Sequence, residues 1–186
     1  MMSILLAVIG RYRSGKTALC QRFEQGGVIR LPIESMIEQL IQDHPNYEIW
    51  QYCLQGRYEK VLDVIPILED GLLLRTLMSM LLKQECQYAC YVELPGFINI
   101  ECLRYFMDHF SYIIAVDCPD KIRDRYMRSL PIDHNQLALL KRSGCDRSHY
   151  VSIATDVFLN TVEESYIDWV AHKLLSSYQL SDTYLD

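Results

Sequence analysis

The beginning of the chain contains the stretch that decides the fold, Ser3-Ile4-Leu5-Leu6-Ala7-Val8-Ile9-Gly10-Arg11-Tyr12-Arg13-Ser14-Gly15-Lys16-Thr17. An apolar run of strand length leads into the pattern G-x-x-x-x-G-K-[ST], and apolar residues at helical spacing follow. Strand, loop and helix in this order are the context that a phosphate-binding loop requires. Gly10 and Gly15 allow a tight turn with no side chain in the way. Backbone N–H groups at the start of the following helix attract anions.

The residue types of this loop predict a site for ATP and Mg²⁺. Lys16 can reach the β and γ phosphates, and the Thr17 hydroxyl can ligate Mg²⁺. The alternative is a glycine-bounded turn whose lysine is merely solvated. It would explain the spacing of the glycines and the lysine, but not the strand before the loop and the helix after it. Binding without turnover of the nucleotide stays open. The residues that we expect to bind the nucleotide through the loop are Gly10, Arg11, Tyr12, Arg13, Ser14, Gly15, Lys16 and Thr17.

Composition indicates one globular domain. The chain has 186 residues, of which 50% are hydrophobic, and a net charge of −6 argues against broad nucleic-acid binding. The seven cysteines are scattered and form no CxxC pair, which favours a reducing compartment, and we expect the cytoplasm. The apolar stretch Val61–Leu82 is interrupted by charged residues and Pro66, so we expect no membrane segment. Nothing in the sequence predicts the oligomeric state.

Apolar segments of strand length alternate with helical ones, which predicts a parallel sheet with helices on both faces. The segments between 130 and 150 are polar and mixed. The expected strands are Ile4–Ile9, Val28–Leu31, Tyr88–Pro95, Tyr112–Asp117 and Ala154–Asn160. The expected helices are Ala18–Gln25, one from Pro32 to about Gln42, Leu72–Leu82, Asn99–His109, one from Pro119, and Val162–Tyr178.

A cluster of basic residues follows the fourth expected strand. Arg123, Arg125 and Arg128 lie on the helix that Pro119 begins, and further basic residues such as Arg142 come in the polar segment beyond. Guanidinium groups suit phosphoryl transfer because they stay charged and can bind two oxygens at once. The alternative is an ordinary amphipathic helix whose arginines face water and pair with nearby aspartates. The position beyond the carboxyl end of a strand favours function for the cluster as a set.

Motifs along the chain resemble those of the nucleoside-monophosphate-kinase group of phosphate-loop proteins, most closely dephospho-coenzyme A kinase. Gly10–Thr17 resembles the phosphate loop, and Gly96–Glu101 resembles the Gly-Ile-Arg…Glu turn after the third strand. Val116–Pro119 followed by Arg125–Arg128 resembles the strand and the arginines at the lid entry. Thr155–Asn160 resembles the Ala-Asp-x-x-x-x-Asn signature of the last strand.

The resemblance implies a P-loop NTPase fold, α/β in class, with about five parallel strands in the order 2-3-1-4-5, helices on both faces and a small lid. One domain would span 1–186, with an acceptor-side helical segment at 32–82 and the lid at 130–150. It implies an ATP-dependent phosphotransferase acting on a nucleoside monophosphate or dephospho-coenzyme A. Lys16 would bridge the transferred phosphate, Arg128 and Arg142 would clamp its charge, and Asn160 would lie near the base.

Several positions depart from the family pattern. Glu34 stands in for an aspartate on the acceptor side, where Gly96 would also lie, and Ile98 stands near the place of the turn's arginine. Glu93 ends the third strand where an aspartate commonly stands, and it could reach Mg²⁺ through water or serve as a turn carboxylate beside Pro95.

The departures keep a second function open, a non-catalytic nucleotide-binding protein whose acceptor site is degraded. A small GTPase-like switch is disfavoured because the sequence has no Asn-Lys-x-Asp segment for reading guanine. The aromatic residues between Tyr47 and Tyr58 could stack on a ring of the acceptor, but a satellite core is the more common use of such spacings.

Overall fold

The computed structural model describes residues 4–11, 13–32, 79, 83, 88–94, 103–104, 106–129 and 147–180. Almost all of the expected acceptor-side segment, 32–82, and the expected lid up to residue 146 lie outside these ranges. Among the helices that the structure describes, none is long and apolar enough to cross a membrane. Four residues with expected roles also lie outside the described ranges, namely Tyr12, Glu34, Gly96 and Arg142.

A parallel sheet of five strands forms the centre of the described fold. Its order, β2-β3-β1-β4-β5, confirms the expected topology. The first strand lies in the middle, with Val8 beside both Glu93 and Ile114. Because a central parallel strand is covered on both faces, its residues are apolar without alternation. The strands are β1 (Leu5–Ile9), β2 (Ile29–Arg30), β3 (Cys90–Glu93), β4 (Tyr112–Asp117) and β5 (Asp156–Leu159).

Helices cover both faces of the sheet. The described helices are α1 (Lys16–Gln25), α2 (Asp120–Arg128), α3 (Arg147–Val151) and α4 (Glu164–Ser177). Buried side chains of α1 and α4 share one core with Val8 and Val116. On α3, Tyr150 reaches the side chain of Asp117, which lies on the opposite face of β4 from Val116 because neighbouring strand residues alternate. The expectation of helices on both faces is therefore confirmed.

The helix expected over Asn99–His109 differs in its last turn. Leu103 and Arg104 are helical, but Met107–His109 form a 3-10 turn instead of continuing the α-helix. The tighter turn ends at Phe110, which is buried, and the next N–H, that of Ser111, donates to the Leu5 carbonyl at 2.8 Å. The chain therefore enters β4 directly from the 3-10 turn.

The core between α1 and the sheet is built around Phe23. Its side chain is fully buried and packs edge-to-face against Tyr91, with ring centroids 6.2 Å apart. The Tyr91 hydroxyl donates to the Glu24 carboxylate at 2.9 Å, so this buried phenol has a partner. An ion pair between Arg22 and Asp168, at 2.8 Å, ties the outer side of α1 to α4. These contacts hold α1 against β3 and α4.

We expect Phe23→Ala to lower the free energy of unfolding by about 3–5 kcal/mol, because it removes a fully buried ring from a close-packed core. Guanidinium chloride denaturation followed by circular dichroism measures the change. The exposed Gln21 on the same helix supplies the control, since Gln21→Ala should shift the free energy of unfolding by about 0.5 kcal/mol or less. Equal effects of the two substitutions would contradict the assigned packing of α1.

Candidate functional site

The loop between β1 and α1 is packed closely against the ends of β4 and β5. A Cβ atom at Gly10 would lie 2.3 Å from the Val116 carbonyl oxygen, which no real side chain tolerates. At Gly15, where φ is 94°, a Cβ would lie 1.9 Å from the side-chain nitrogen of Asn160. Both glycines of the motif are therefore required by packing within the protein.

Asn160, directly after β5, holds this loop in place. Its side-chain nitrogen donates to the Ser14 carbonyl at 2.9 Å, and its side-chain oxygen accepts from the Val162 N–H at 2.9 Å. Its own N–H donates to the Asp117 carbonyl at 2.7 Å. The buried amide of Asn160 thus joins the loop to the ends of β4 and β5, while its expected position near the base stays a prediction.

Lys16 is the buried cation of the loop. It is 7% exposed, and its ammonium donates to the carbonyl oxygens of Gly10 at 3.0 Å and Arg11 at 3.2 Å. Burial lowers the pKa of this ammonium below its usual value of 10.5, and the charge of Glu93 opposes that shift. Because α1 begins at Lys16, the ammonium lies beside the helix N-terminus, where unpaired N–H groups favour anions.

The two residues expected to bind metal are in contact. The Thr17 hydroxyl donates to a carboxylate oxygen of Glu93 at 2.8 Å, which joins the start of α1 to the end of β3. Thr17 is exposed and Glu93 is half-buried, so neither residue is sealed inside the protein. Mg²⁺ prefers oxygen ligands and is usually held by one or two protein groups together with phosphates and water. This pair of oxygens fits such an ion.

Arg11 forms a second set of contacts, on the β4 side of the loop. Its guanidinium donates to Asp120 at 2.7 Å, to Asp117 at 3.4 Å and to the Cys118 carbonyl at 3.1 Å. The Tyr150 hydroxyl lies 3.5 Å from the same Asp117 oxygen. The first variable residue of the loop is therefore tied to the β4–α2 turn and, through Asp117, to α3.

Burial and charge act in opposite directions within this cluster. Burial works to lower the pKa of Arg11, but Tyr150, Asp120 and Asp117 together raise it above its usual value. Burial raises the pKa of Tyr150 to about 12, so its hydroxyl keeps its proton at neutral pH and can donate to Asp117. Burial, and then the nearby charge of Arg11, lower the pKa of Arg123.

The arginines after β4 do not share one environment. Arg123 is 6% exposed, and its Nε lies 3.7 Å from the Asp120 carboxylate, whereas Arg125 and Arg128 are exposed. The Arg123–Asp120 pair agrees with the alternative in which the arginines pair with nearby aspartates, but Arg123 is buried instead of facing water. The expected clamp by Arg128 stays a prediction.

The structure adds three residues to the site that the sequence did not assign to it, Asp117, Asp120 and Tyr150. Asp117 ends an otherwise apolar strand and is 2% exposed. A carboxylate at the end of an apolar strand is a pattern in the sequence that indicates a functional residue. No comparable pattern in the sequence indicates Tyr150, because the polar segment before it has no clear helical or strand periodicity.

No model of a known protein family matches this sequence, and no curated protein sequence matches it. Solved structures do share the fold. TT1252 from Thermus thermophilus has a TM-score of 0.62 at 15% identity, covering 95% of this chain and 98% of its own. Shikimate kinase from Bacteroides thetaiotaomicron has a TM-score of 0.61 at 14% identity, with 95% and 99% covered.

Dephospho-CoA kinase from Campylobacter jejuni also shares the fold, with a TM-score of 0.57 at 12% identity and coverage of 95% of this chain and 98% of its own. The fold is therefore that of phosphate-loop kinases, as the sequence motifs predict. These two structural matches each cover 95% of this chain, and they show that dephospho-CoA kinase and shikimate kinase share its fold.

We expect Gly15→Ala to weaken nucleotide binding at least tenfold, because the new Cβ would displace Asn160 and strain a residue with positive φ. Isothermal titration with Mg·ATP measures the affinity. Gly27→Ala is the control, since Gly27 also has positive φ, 87°, but lies beyond the far end of α1. Both variants should lose stability, and equal ATP affinity in the two would contradict the role of the Gly15–Asn160 contact.

Proposed function

We propose that this protein is a kinase that transfers the γ-phosphoryl group of ATP to a small-molecule acceptor. The observation that carries the proposal is the Thr17–Glu93 contact of 2.8 Å beside the buried Lys16, at one end of a phosphate loop. A loop that binds phosphate alone needs no carboxylate at this point, whereas a loop that binds Mg²⁺ together with its nucleotide, as in a Mg²⁺-dependent phosphotransferase, uses one.

In the proposed reaction, the bond between the γ-phosphorus and the bridging oxygen of ATP breaks, and ADP leaves. A bond forms between the γ-phosphorus and an acceptor oxygen. A hydroxyl acceptor, as in dephospho-coenzyme A or shikimate, releases its proton to water, whereas the phosphate oxygen of a nucleoside monophosphate is already ionised. Lys16 and the N–H groups at the start of α1 bind the phosphate oxygens and stabilise the charge that spreads over them. Arg128 and Arg142 are proposed to clamp that charge further.

Thr17 and Glu93 are the residues that would hold Mg²⁺, which neutralises phosphate charge when it is bound. Asn160 is proposed to lie near the adenine, in addition to its contact with the loop. The thiols of Cys20 and Cys118 are buried and form no disulfide within the part of the chain that the structure describes, which supports a reducing setting, and we propose that the protein works in the cytoplasm.

The acceptor is proposed to be a nucleoside monophosphate or dephospho-coenzyme A, held on the side of Glu34 and Gly96. Dephospho-CoA kinase among the proteins with this fold supports the second compound. One shikimate kinase, from Acinetobacter baumannii, was solved in complex with shikimate, so shikimate belongs in the same test.

We expect ADP release from Mg·ATP to depend on one acceptor of a panel of nucleoside monophosphates, dephospho-coenzyme A and shikimate. Lys16→Ala should lower kcat by about 10²- to 10³-fold, the usual cost of removing a group that stabilises transition-state charge. Lys173→Ala supplies the control, because Lys173 is an exposed lysine on α4, over the Trp169 ring. Its turnover should equal that of the wild type.

Two results would contradict the kinase. One is tight ATP binding with no turnover for any acceptor of the panel, which would favour the non-catalytic alternative. The other is unchanged turnover in Lys16→Ala, which would move catalysis away from the loop.

We expect Thr17→Val to raise the Mg²⁺ concentration needed for half-maximal activity roughly 10- to 100-fold, because it removes one oxygen of the Thr17–Glu93 pair. Glu93→Gln should act in the same direction. Thr17→Ser keeps the hydroxyl and should retain nearly normal Mg²⁺ dependence. Equal Mg²⁺ dependence of Thr17→Val and Thr17→Ser would overturn the assignment of this pair.

A further inference from the structure

Arg11 is bound at both its backbone and its side chain. Its carbonyl oxygen accepts from the Ser14 N–H at 3.1 Å and from the Lys16 ammonium at 3.2 Å. Its guanidinium donates to Asp117, Asp120 and the Cys118 carbonyl. One residue therefore connects the phosphate-binding lysine to the β4–α2 turn.

We propose that Arg11 is a positioning residue, which fixes Lys16 and the first half of the loop relative to β4 so that ATP meets a preformed site. This inference rests on the proposed function of the loop as the ATP site. The side chain positions Lys16 through the Arg11 backbone, so no contact between the Arg11 guanidinium and phosphate is required.

The charges around Arg11 distinguish this role from phosphate binding. Its guanidinium lies between two carboxylates, of which Asp117 is 3% exposed at the side chain, and an anion would have to compete with both. Lys16 donates to two neutral carbonyl oxygens, which a phosphate can replace without separating an ion pair. Lys16 is therefore the cation suited to binding phosphate, and Arg11 is suited to holding the loop in position.

The geometry also explains why an arginine stands here. Two guanidinium nitrogens divide three acceptors between them, with Nη1 on Asp120 and Nη2 on Asp117 and the Cys118 carbonyl. The single ammonium of lysine is a point charge and cannot reproduce this planar fork. The nearby Tyr150 hydroxyl limits the movement of Asp117 and so supports the same arrangement.

The variants Arg11→Ala, Arg11→Lys and Asp120→Asn test the proposal, with the Kd of Mg·ATP measured by isothermal titration and kcat and KM for ATP measured by ADP release. We expect Arg11→Ala to weaken ATP binding about tenfold, and Arg11→Lys to restore little of the loss. Asp120→Asn should also weaken binding, because it loosens the anchor of Arg11. The double variant should be no weaker than Arg11→Ala alone.

The sign of the Asp120→Asn effect decides between the two roles. If Arg11 binds phosphate directly, removing the competing carboxylate charge should tighten ATP binding, and that result would overturn the proposal. Additive losses in the double variant, or full rescue by Arg11→Lys, would overturn it as well. The matched control is Asp168→Asn, which breaks the 2.8 Å pair with Arg22 far along α1 and should leave the Kd unchanged.

The titration separates this proposal from that of the kinase. If no acceptor is turned over, the Kd values of the same variants still test the role of Arg11. Denaturation midpoints of each variant show whether a loss of binding follows a loss of folding, and a Kd change confined to variants that unfold at the assay temperature would refute a positioning role.

Discussion

The close approach of Asn160 to Gly15 is the contact on which the arrangement of the site depends. Asn160 uses its N–H, its side-chain nitrogen and its side-chain oxygen to join Asp117, Ser14 and Val162. This is possible only because residue 15 has no side chain, since a Cβ there would lie 1.9 Å from the amide nitrogen. The loop is therefore held to the sheet by the hydrogen-bonded side chain of the residue that follows the last strand, without a contribution from phosphate.

The strand order determines which residues surround the loop. Because β1 lies between β3 and β4, the loop that follows it has Glu93 on one side and Asp117 on the other. These two carboxylates have different partners. Glu93 is half-buried and contacts Thr17, whereas Asp117 is buried and pairs with Arg11. The candidate metal site thus lies on the β3 side of the loop, and the contacts that anchor the loop lie on its β4 side.

The sequence predicts well what depends on local patterns. The loop, the bounds of β4 and the strand order follow from apolar runs, glycine spacing and family motifs. The environment of each arginine was harder to predict, because Arg123 lies near Arg11 and Tyr150, which are distant from it in the sequence. A local signal did exist. Met127 is apolar and buried, and Arg123, four residues earlier on the same helical face, is buried with it, whereas Arg128 is exposed.

The phosphate loop places two of its cations in different environments, and this difference bears on how it could act. Burial removes water from the Lys16 ammonium and lowers its pKa, so a phosphate would supply negative charge in place of the lost hydration. Arg11 already has its partners in Asp117 and Asp120, and although burial works to lower its pKa, these carboxylates and the neighbouring Tyr150 raise it. An arriving anion therefore gains more from Lys16 than from Arg11. The carboxylates that hold Arg11 at the β4–α2 turn also compete with an anion for it, whereas the Lys16 ammonium donates to neutral carbonyl oxygens and is better placed to bind phosphate.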